Sequence, residues 1–434
     1  MDVKISKVKF NLYTNHKRSP EKWWHKFHSQ ELNRLVDRCL EKNLDIDQAV
    51  ARLKKMQAIA KQTGSQKSFK LNASGDIKKI RGKKSSTASS YSAGGLTASY
   101  EVDLWGSINS RVKAAELNED VARELLYSLQ ISLVSELTSS WLAYIRTHEE
   151  ISLLEKQLKT NKNTLKLMLK RLQSSQATAL DVFQQKQKVA ANKLLIIAAE
   201  SKLPTINNTI QVLIGASPLE KVKITDQRLP RFIKLTTTGI PVDLLANRPD
   251  IRANGLALHA MEWSVAAAKA DRLPQFSITG SAQYSGNHTN ELFDDWLANL
   301  AASIVVPIVD GGFRKAEIEK KQAEAEEKLA IYKKSVLTAV AEISTILENN
   351  LLQEMTTIAI ENQNDLATKT HNQAVMRYRN GLETYLPVLV ALSTKQDLEL
   401  KLIEAKYNTL NIRVNLYRSL GGSWPTLKEE NTNE

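Results

Sequence analysis

Cysteine is nearly missing from this chain. Cys39 is the only one in 434 residues, so no disulfide can close within the chain. It lies on the apolar side of a short helical segment, where a small buried hydrophobe is the expected role. Long apolar runs are missing as well, since none approaches the ~18 residues that a membrane-crossing helix needs. The sequence shows no phosphate loop, dinucleotide turn or nucleophile elbow. Its seven histidines are scattered. His25 and His28 share an i, i+3 spacing, but no cysteine or carboxylate pair stands near them to complete a metal site. Glu291, Asp294 and Asp295 read as a solvated acidic loop. No enzyme, cofactor or metal is expected. Met1 to Pro20 is charged and has no apolar centre, so no signal peptide is expected either. The net charge of +13 is spread along the chain, apart from the loop cluster Lys78, Lys79, Arg81, Lys83 and Lys84, and this argues against a nucleic-acid partner.

Glycine and proline are few, sixteen and ten, and their positions show a duplication. Gly106 and Gly312 each open a long helical pattern and Gly215 and Gly421 each close one; both pairs are offset by 206 positions. Ala179-Leu180-Asp181-Val182 falls in register with Tyr385-Leu386-Pro387-Val388. Leu35-Val36-Asp37 matches Pro241-Val242-Asp243, and Ala60-Lys61 lies two positions out of register with Ala268-Lys269. The reading is a polar lead-in over 1–22, a first repeat over 23–215, a linker over 216–238, a second repeat over 239–421 and a polar tail over 422–434. Between the repeats, Pro241 and Pro249 each allow a helix to start after them but not to run through them.

Within each repeat the hydrophobic period changes. A helical tract at about 30–62 gives way to residues alternating with period two at 68–77 and 96–104, and again at 275–284. A less regular fourth strand is expected at 300–309, although it contains Pro307. Phe69, Leu71, Leu96, Tyr100, Val102 and Leu104 face one way, and Lys70, Asn72, Asp76, Thr97, Ser99, Glu101 and Asp103 the other. Such a sheet has either a core and bulk water on its two sides, or lipid and a wet lumen. Four strands cannot enclose a conducting barrel, and open edges are not tolerated in lipid, so a membrane sheet here would have to be shared by several protomers. From Ser107 to Gln173 neither glycine nor proline occurs, which predicts a helix of about 67 residues, roughly 100 Å long. A second tract runs from Leu180 to Ile214 with a break at Pro204, and the second repeat offers Phe313 to Asn380 and Leu386 to Leu420. Ile151, Leu158, Leu165 and Leu172 recur every seven residues, with Leu154 and Met168 between them, as in a coiled coil.

These residues resemble the TolC-like outer-membrane channel family, in particular its efflux branch paired with resistance-nodulation-division pumps. Gly239-Ile240-Pro241-Val242-Asp243-Leu244-Leu245-Ala246-Asn247-Arg248-Pro249-Asp250-Ile251 is similar to that family's central signature. Gly239, Pro241, Leu244, Arg248, Pro249 and Asp250 carry the match. Ser99 to Gly106, Val306 to Gly312 and Trp23-Trp24 with Phe27 are similar to its other landmarks. The implied fold is α+β with mainly long helices, in two pseudo-repeats of a β-hairpin plus coiled-coil helices. Three copies would form a twelve-stranded barrel in outer-membrane lipid above an α-helical periplasmic tunnel. The implied partners are a periplasmic adaptor and an inner-membrane pump. The implied function is passive export of small molecules, with a protein-secretion duct as the alternative; without the resemblance, a soluble basic coiled-coil scaffold would be the remaining reading.

The resemblance also places a gate at the helix turns. Asp181, Arg377, Tyr378, Arg379 and Gly381 are implied as gate positions, with Arg377 or Arg379 able to pair with Asp181 across a closed mouth. Arg171, Ser174, Ser175, Ala177, Gly381 and Leu382 are implied as adaptor-docking turns. Ser175 stands where the first turn often has glycine. Pro387 and Val390 stand where some members place acids, so an acidic ring is not expected. No lipid-attachment cysteine lies near the start.

Overall fold

The computed structural model describes residues 22–80, 89–217, 220, 224–230, 248–286 and 295–422. Gly239, Pro241 and Leu244 of the central stretch, Arg81, Lys83 and Lys84 of the basic loop, and Glu291 and Asp294 of the acidic loop lie outside them.

After a 3-10 turn at Trp23–Phe27 come α1 (Gln30–Lys42) and α2 (Leu44–Gly64), then β1 (Lys70–Ile80) and β2 (Ser89–Val102). The chain continues through α3 (Ser107–Gln173), α4 (Ala179–Glu200) and α5 (Leu203–Leu213). The second half has α6 (Pro249–Ala270), β3 (Gln275–Gly286), β4 (Trp296–Val305), α7 (Phe313–Arg379) and α8 (Tyr385–Ser419). Each repeat thus contributes one hairpin and one helix of 67 residues. The return tract differs between repeats. Pro204, near the start of α5, has no amide hydrogen to continue α4, whereas α8 runs unbroken for 35 residues.

The four strands form one antiparallel sheet in the order β1-β2-β3-β4. Their bounds differ from the sequence reading: β2 is Ser89–Val102 rather than 96–104, and β4 is Trp296–Val305 rather than 300–309. Pro307 therefore lies beyond the ladder, where its missing donor costs no hydrogen bond. Asp103 is not a strand residue: its carboxylate accepts the backbone N–H of Ile108 at 3.0 Å and of Asn109 at 2.7 Å, capping α3. Asp310 does the same for α7, accepting from Gly312 at 3.0 Å and Arg314 at 3.1 Å. The neighbouring glycines Gly106 and Gly312 have φ of +75° and +84°.

The chain folds as two compact units, each assembled from separated segments. One comprises 1–48, 127–249 and 336–434. Trp23 stacks on Tyr417 with ring centroids 4.9 Å apart, and Trp141 meets Phe27 edge-on at 6.4 Å. Leu32, Val36 and Cys39 of α1 and Leu137, Trp141 and Ile145 of α3 are fully buried. Cys39 thus takes its expected place, and burial pushes its thiol up to about 12. At Gly215 a Cβ atom would come within 2.1 Å of the Lys42 carbonyl oxygen, so glycine is needed there for close approach as well as for its φ of +63°.

The second unit, 49–126 and 250–335, holds the sheet. Leu117, Leu256 and Ala260 pack together with Val121. Asp271, just after α6, receives the Arg111 guanidinium at 2.7 Å and the Ser107 hydroxyl at 2.5 Å, and its carbonyl accepts from Arg314 at 3.0 Å. The starts of α3 and α7 are therefore fastened to one point beside the strands.

Candidate functional site

In an antiparallel ladder, directly opposed residues point to the same face. Leu71 opposes Ala98 and Ile77 opposes Ser92. Leu96, Tyr100 and Val102 oppose Ala282, Ile278 and Phe276. Phe276, Gly280 and Tyr284 in turn oppose Ile304, Leu300 and Trp296. One face therefore runs apolar through all four strands. The opposite face carries Asn72 against Thr97, Ser99 against Thr279, and Ser277 against Ser303, whose hydroxyls meet at 2.6 Å.

Among the described residues, much of the apolar face is left exposed. Ile77 and Leu300 are each 80% exposed and Trp296 is 69% exposed. A face of this size left to water would be a severe aggregation liability, while against lipid it is stable. From Phe276 to Tyr284 the strand rises about 27 Å at ~3.4 Å per residue, and a tilt of about 40° leaves roughly 20 Å of height. Tyr284 and Trp296 sit together at one end of that span and Phe276 near the other, the placing of aromatics expected at the two membrane interfaces. Among the described residues no helix is long and apolar enough to cross a membrane.

The helix turns far from the strands in sequence form a second candidate region. In the first, Gln176 N–H donates to the Arg171 carbonyl at 2.7 Å; in the second, Leu382 N–H donates to Arg377 at 2.9 Å. Ser175 and Gly381 occupy the left-handed position of each turn, with φ of +58° and +72°. Ser174, Ser175 and Leu382 are exposed and Ala177 is half-buried. Tyr378 is held from two sides: its hydroxyl meets Met168 Sδ at 3.7 Å, and the Arg171 guanidinium lies 4.6 Å from its ring centroid.

Asp181 has a role that its surroundings in sequence disclose, although the reading above missed it. Thr178 and Asp181 form a reciprocal capping box, in which Thr178 Oγ1 accepts from Asp181 N–H at 3.2 Å and Asp181 Oδ2 accepts from Thr178 N–H at 2.9 Å. A threonine followed three positions later by an acid was the available signal. The equivalent box cannot form in the second repeat, because Pro387 occupies the third helical position and offers no N–H; Thr384 accordingly makes no side-chain cap. Within the chain, Arg377 pairs with Glu383 at 3.1 Å and not with Asp181. Arg379 is exposed beside His371, Asn372 and Met376.

Above the turns a buried polar seam joins α3, α4 and α8, and this too was absent from the sequence reading. Tyr385 donates to Gln185 Oε1 at 2.7 Å, and Gln185 donates to the Asn161 carbonyl at 2.8 Å. Asn161 and Gln396 exchange bonds of 3.1 and 3.4 Å between their amides, and Gln157 donates to the Gln396 carbonyl at 3.2 Å. Desolvation raises the Tyr385 phenol well above its ordinary range and keeps it a donor. Met168, Val182, Tyr385 and Val388 close the apolar end of this seam.

In the central stretch Arg248 is buried. Its Nη1 donates to Glu342 Oε2 and to the Ser419 carbonyl, each at 2.9 Å. Pro249 and Asp250 open α6.

A sheet that is apolar on its uncovered face and polar on the other, joined to helices far longer than any globular core requires, defines a class of protein: a segment of the wall of a membrane channel. The family model for outer membrane efflux proteins matches residues 35–216 and 240–422, once per repeat. The chain belongs to that family and is an outer-membrane export channel. It is 28% identical over 421 residues to the pyoverdine export outer membrane protein OpmQ of Pseudomonas aeruginosa, spanning 93% of this chain and 87% of OpmQ. It is also 26% identical over 341 residues to the toluene efflux pump outer membrane protein TtgF of Pseudomonas putida, spanning 77% and 70% of the two chains. The solved structure of the outer-membrane channel OprN superimposes with a TM-score of 0.87 at 25% identity over 96% of each chain.

Proposed function

We propose that three copies of this chain form the outer-membrane duct of a tripartite efflux system and carry small molecules passively from an inner-membrane pump to the exterior. The observation that carries this reading is the open sheet. Its apolar face calls for lipid, yet among the described residues β1 and β4 each present an unpaired edge that lipid does not tolerate. Three sheets joined edge to edge give twelve strands and remove every edge, which supports a shared barrel. The efflux-pump partnership is supported by the likeness to TtgF, and a periplasmic adaptor by the exposed turns at Ser175 and Gly381. The duct performs no chemistry of its own. In this reading Asp181, Arg377, Tyr378 and Arg379 set the closed state of the periplasmic end, and Arg171, Ser174, Ser175, Ala177, Gly381 and Leu382 receive the adaptor.

The test is the native mass of the detergent-extracted particle together with its conductance in planar bilayers. A trimer that conducts is expected, with conductance increased by Arg377→Ala and Arg379→Ala. A monomeric particle would overturn the shared barrel, and unchanged conductance in both variants would remove the gate.

A further inference from the structure

The two helical hairpins of the repeats match in length and turn geometry but not in charge. Positions 156–199 carry nine Lys or Arg residues and a single acid, Asp181, whereas the matching positions 362–405 carry five of each sign. Five of the nine form a row on α3: Lys156, Lys159, Lys162, Lys166 and Lys170. With Leu158, Leu165 and Leu172 at the first position of a heptad and Met168 at the fourth, these lysines occupy its second, fifth and sixth positions, the face turned away from the packed seam. All five are exposed and, among the described residues, none makes an ion pair.

A row of unopposed like charges is maintained at a cost, because neighbours three or four residues apart on a helix repel. The matching positions of a second copy of this chain offer little to balance it. Of the five acids at 362–405, four are already paired internally: Asp365 with Lys369 at 2.7 Å, Glu383 with Arg377 at 3.1 Å, Glu399 with Lys395 at 3.7 Å and Glu404 with Arg146 at 2.6 Å. Asp397 alone is left. The matching hairpin therefore does not supply the complement. From Lys156 to Lys170 the row extends about 21 Å along the helix at 1.5 Å per residue, a length that a small anion cannot bridge and a facing helix can follow.

We propose that this lysine row is a docking strip for an acidic α-helix of a periplasmic partner protein, with Asp or Glu spaced at three and four residues along the contacting face. The proposal rests on the duct reading above for its compartment and adds the charge of the partner's surface and the repeat that receives it. Electrostatic complementarity of this kind sets register and association rate.

The test uses the full chain in its native host, with a photo-crosslinking residue at Asn163, in the middle of the row, or at Ser175, in the turn. The quadruple variant K159E/K162E/K166E/K170E is compared with the unaltered row, and the quadruple Gln variant serves if charge reversal blocks assembly. Expected is an Asn163 product with a second protein, joined through a segment with acids at helical spacing. Its yield should fall at least tenfold on charge reversal, severalfold with Gln, and recover when those acids are changed to Lys. A product with a second copy of this chain, or a yield indifferent to charge, would overturn the proposal. Loss of all partner products at both positions would overturn the adaptor reading as well, whereas a Ser175 product without one at Asn163 would overturn the lysine strip alone. A changed anion-to-cation permeability ratio in planar bilayers, with crosslinking unaltered, would place the row against the water of the duct and also overturn it.

Discussion

Ser175 and Gly381 stand 206 positions apart and hold the same left-handed backbone, at φ of +58° and +72°. The two turns are therefore one structure built with two different residues. A Cβ at Gly381 would meet nothing within 4 Å, so the conformation itself is the only obstacle to a side chain. A left-handed residue with a Cβ costs about 1 kcal/mol relative to glycine. Gly381→Ala should lower, and Ser175→Gly should raise, the stability of the helical end by about that amount, measured as resistance of the turns to proteolysis in the detergent-extracted particle.

The capping box changes how a gate variant at Asp181 must be interpreted. Removing the carboxylate takes away a possible gate charge and also a cap worth about 0.5–2 kcal/mol. Thr178→Ala removes the other half of the box and leaves the charge. If fraying of α4 opens the periplasmic end, Thr178→Ala and Asp181→Ala should raise single-channel conductance alike. A rise confined to Asp181→Ala would assign the effect to charge.

The polar seam makes a sharper demand on stability. Tyr385→Phe leaves Gln185 Oε1 buried without its 2.7 Å donor. An orphaned buried acceptor costs about 1–3 kcal/mol. Replacing both residues, as Tyr385→Phe with Gln185→Leu, should recover part of that loss, because the orphaned Oε1 is gone while the Asn161 carbonyl loses its 2.8 Å donor from Gln185. A thermal double-mutant cycle measures it, and an additive double variant would show that the bond contributes nothing.

How far the sequence discloses these features depends on whether the signal is local. α3 could be bounded at Ser107 and Gln173 because nothing between them interrupts a helix, and the duplication followed from glycine spacing. The fourth strand was shifted because Ala301 and Val305 sit on the polar face of β4, so its alternation is blurred; only pairing with β3 fixes the register. The seam was invisible for a different reason. Asn161, Gln185 and Gln396 are spread over three helices, and each alone reads as a surface amide. Thr178 and Asp181, by contrast, were legible and were passed over in favour of a charge role.

Cys39 gives a probe of folding linked to pH. With its thiol pushed up to about 12 by burial, little thiolate exists at pH 8 in the folded chain. Alkylation by iodoacetamide should be negligible there and should rise by orders of magnitude once denaturant exposes the residue, whose ordinary thiol then ionises near pH 8.5. Rapid labelling of the folded particle at pH 8 would contradict the buried placement.

Arg248 tests whether the central stretch acts through structure. Its guanidinium bridges Glu342 and the carbonyl of Ser419, the last residue of α8, and Glu342 also receives Arg418 at 2.6 Å. Arg248→Met would leave Glu342 with a remaining partner, so the main loss is the donor Nη1 that serves both the Ser419 carbonyl and the carboxylate. A cost of about 2–4 kcal/mol is expected, near the range for breaking a buried pair. Arg248→Lys should recover part of it, because both bonds come from the single nitrogen Nη1 and one ammonium can also donate to two acceptors. Both substitutions should lower the melting temperature without altering the conductance of the particles that assemble. A conductance change at unaltered stability would instead make Arg248 part of the gating mechanism.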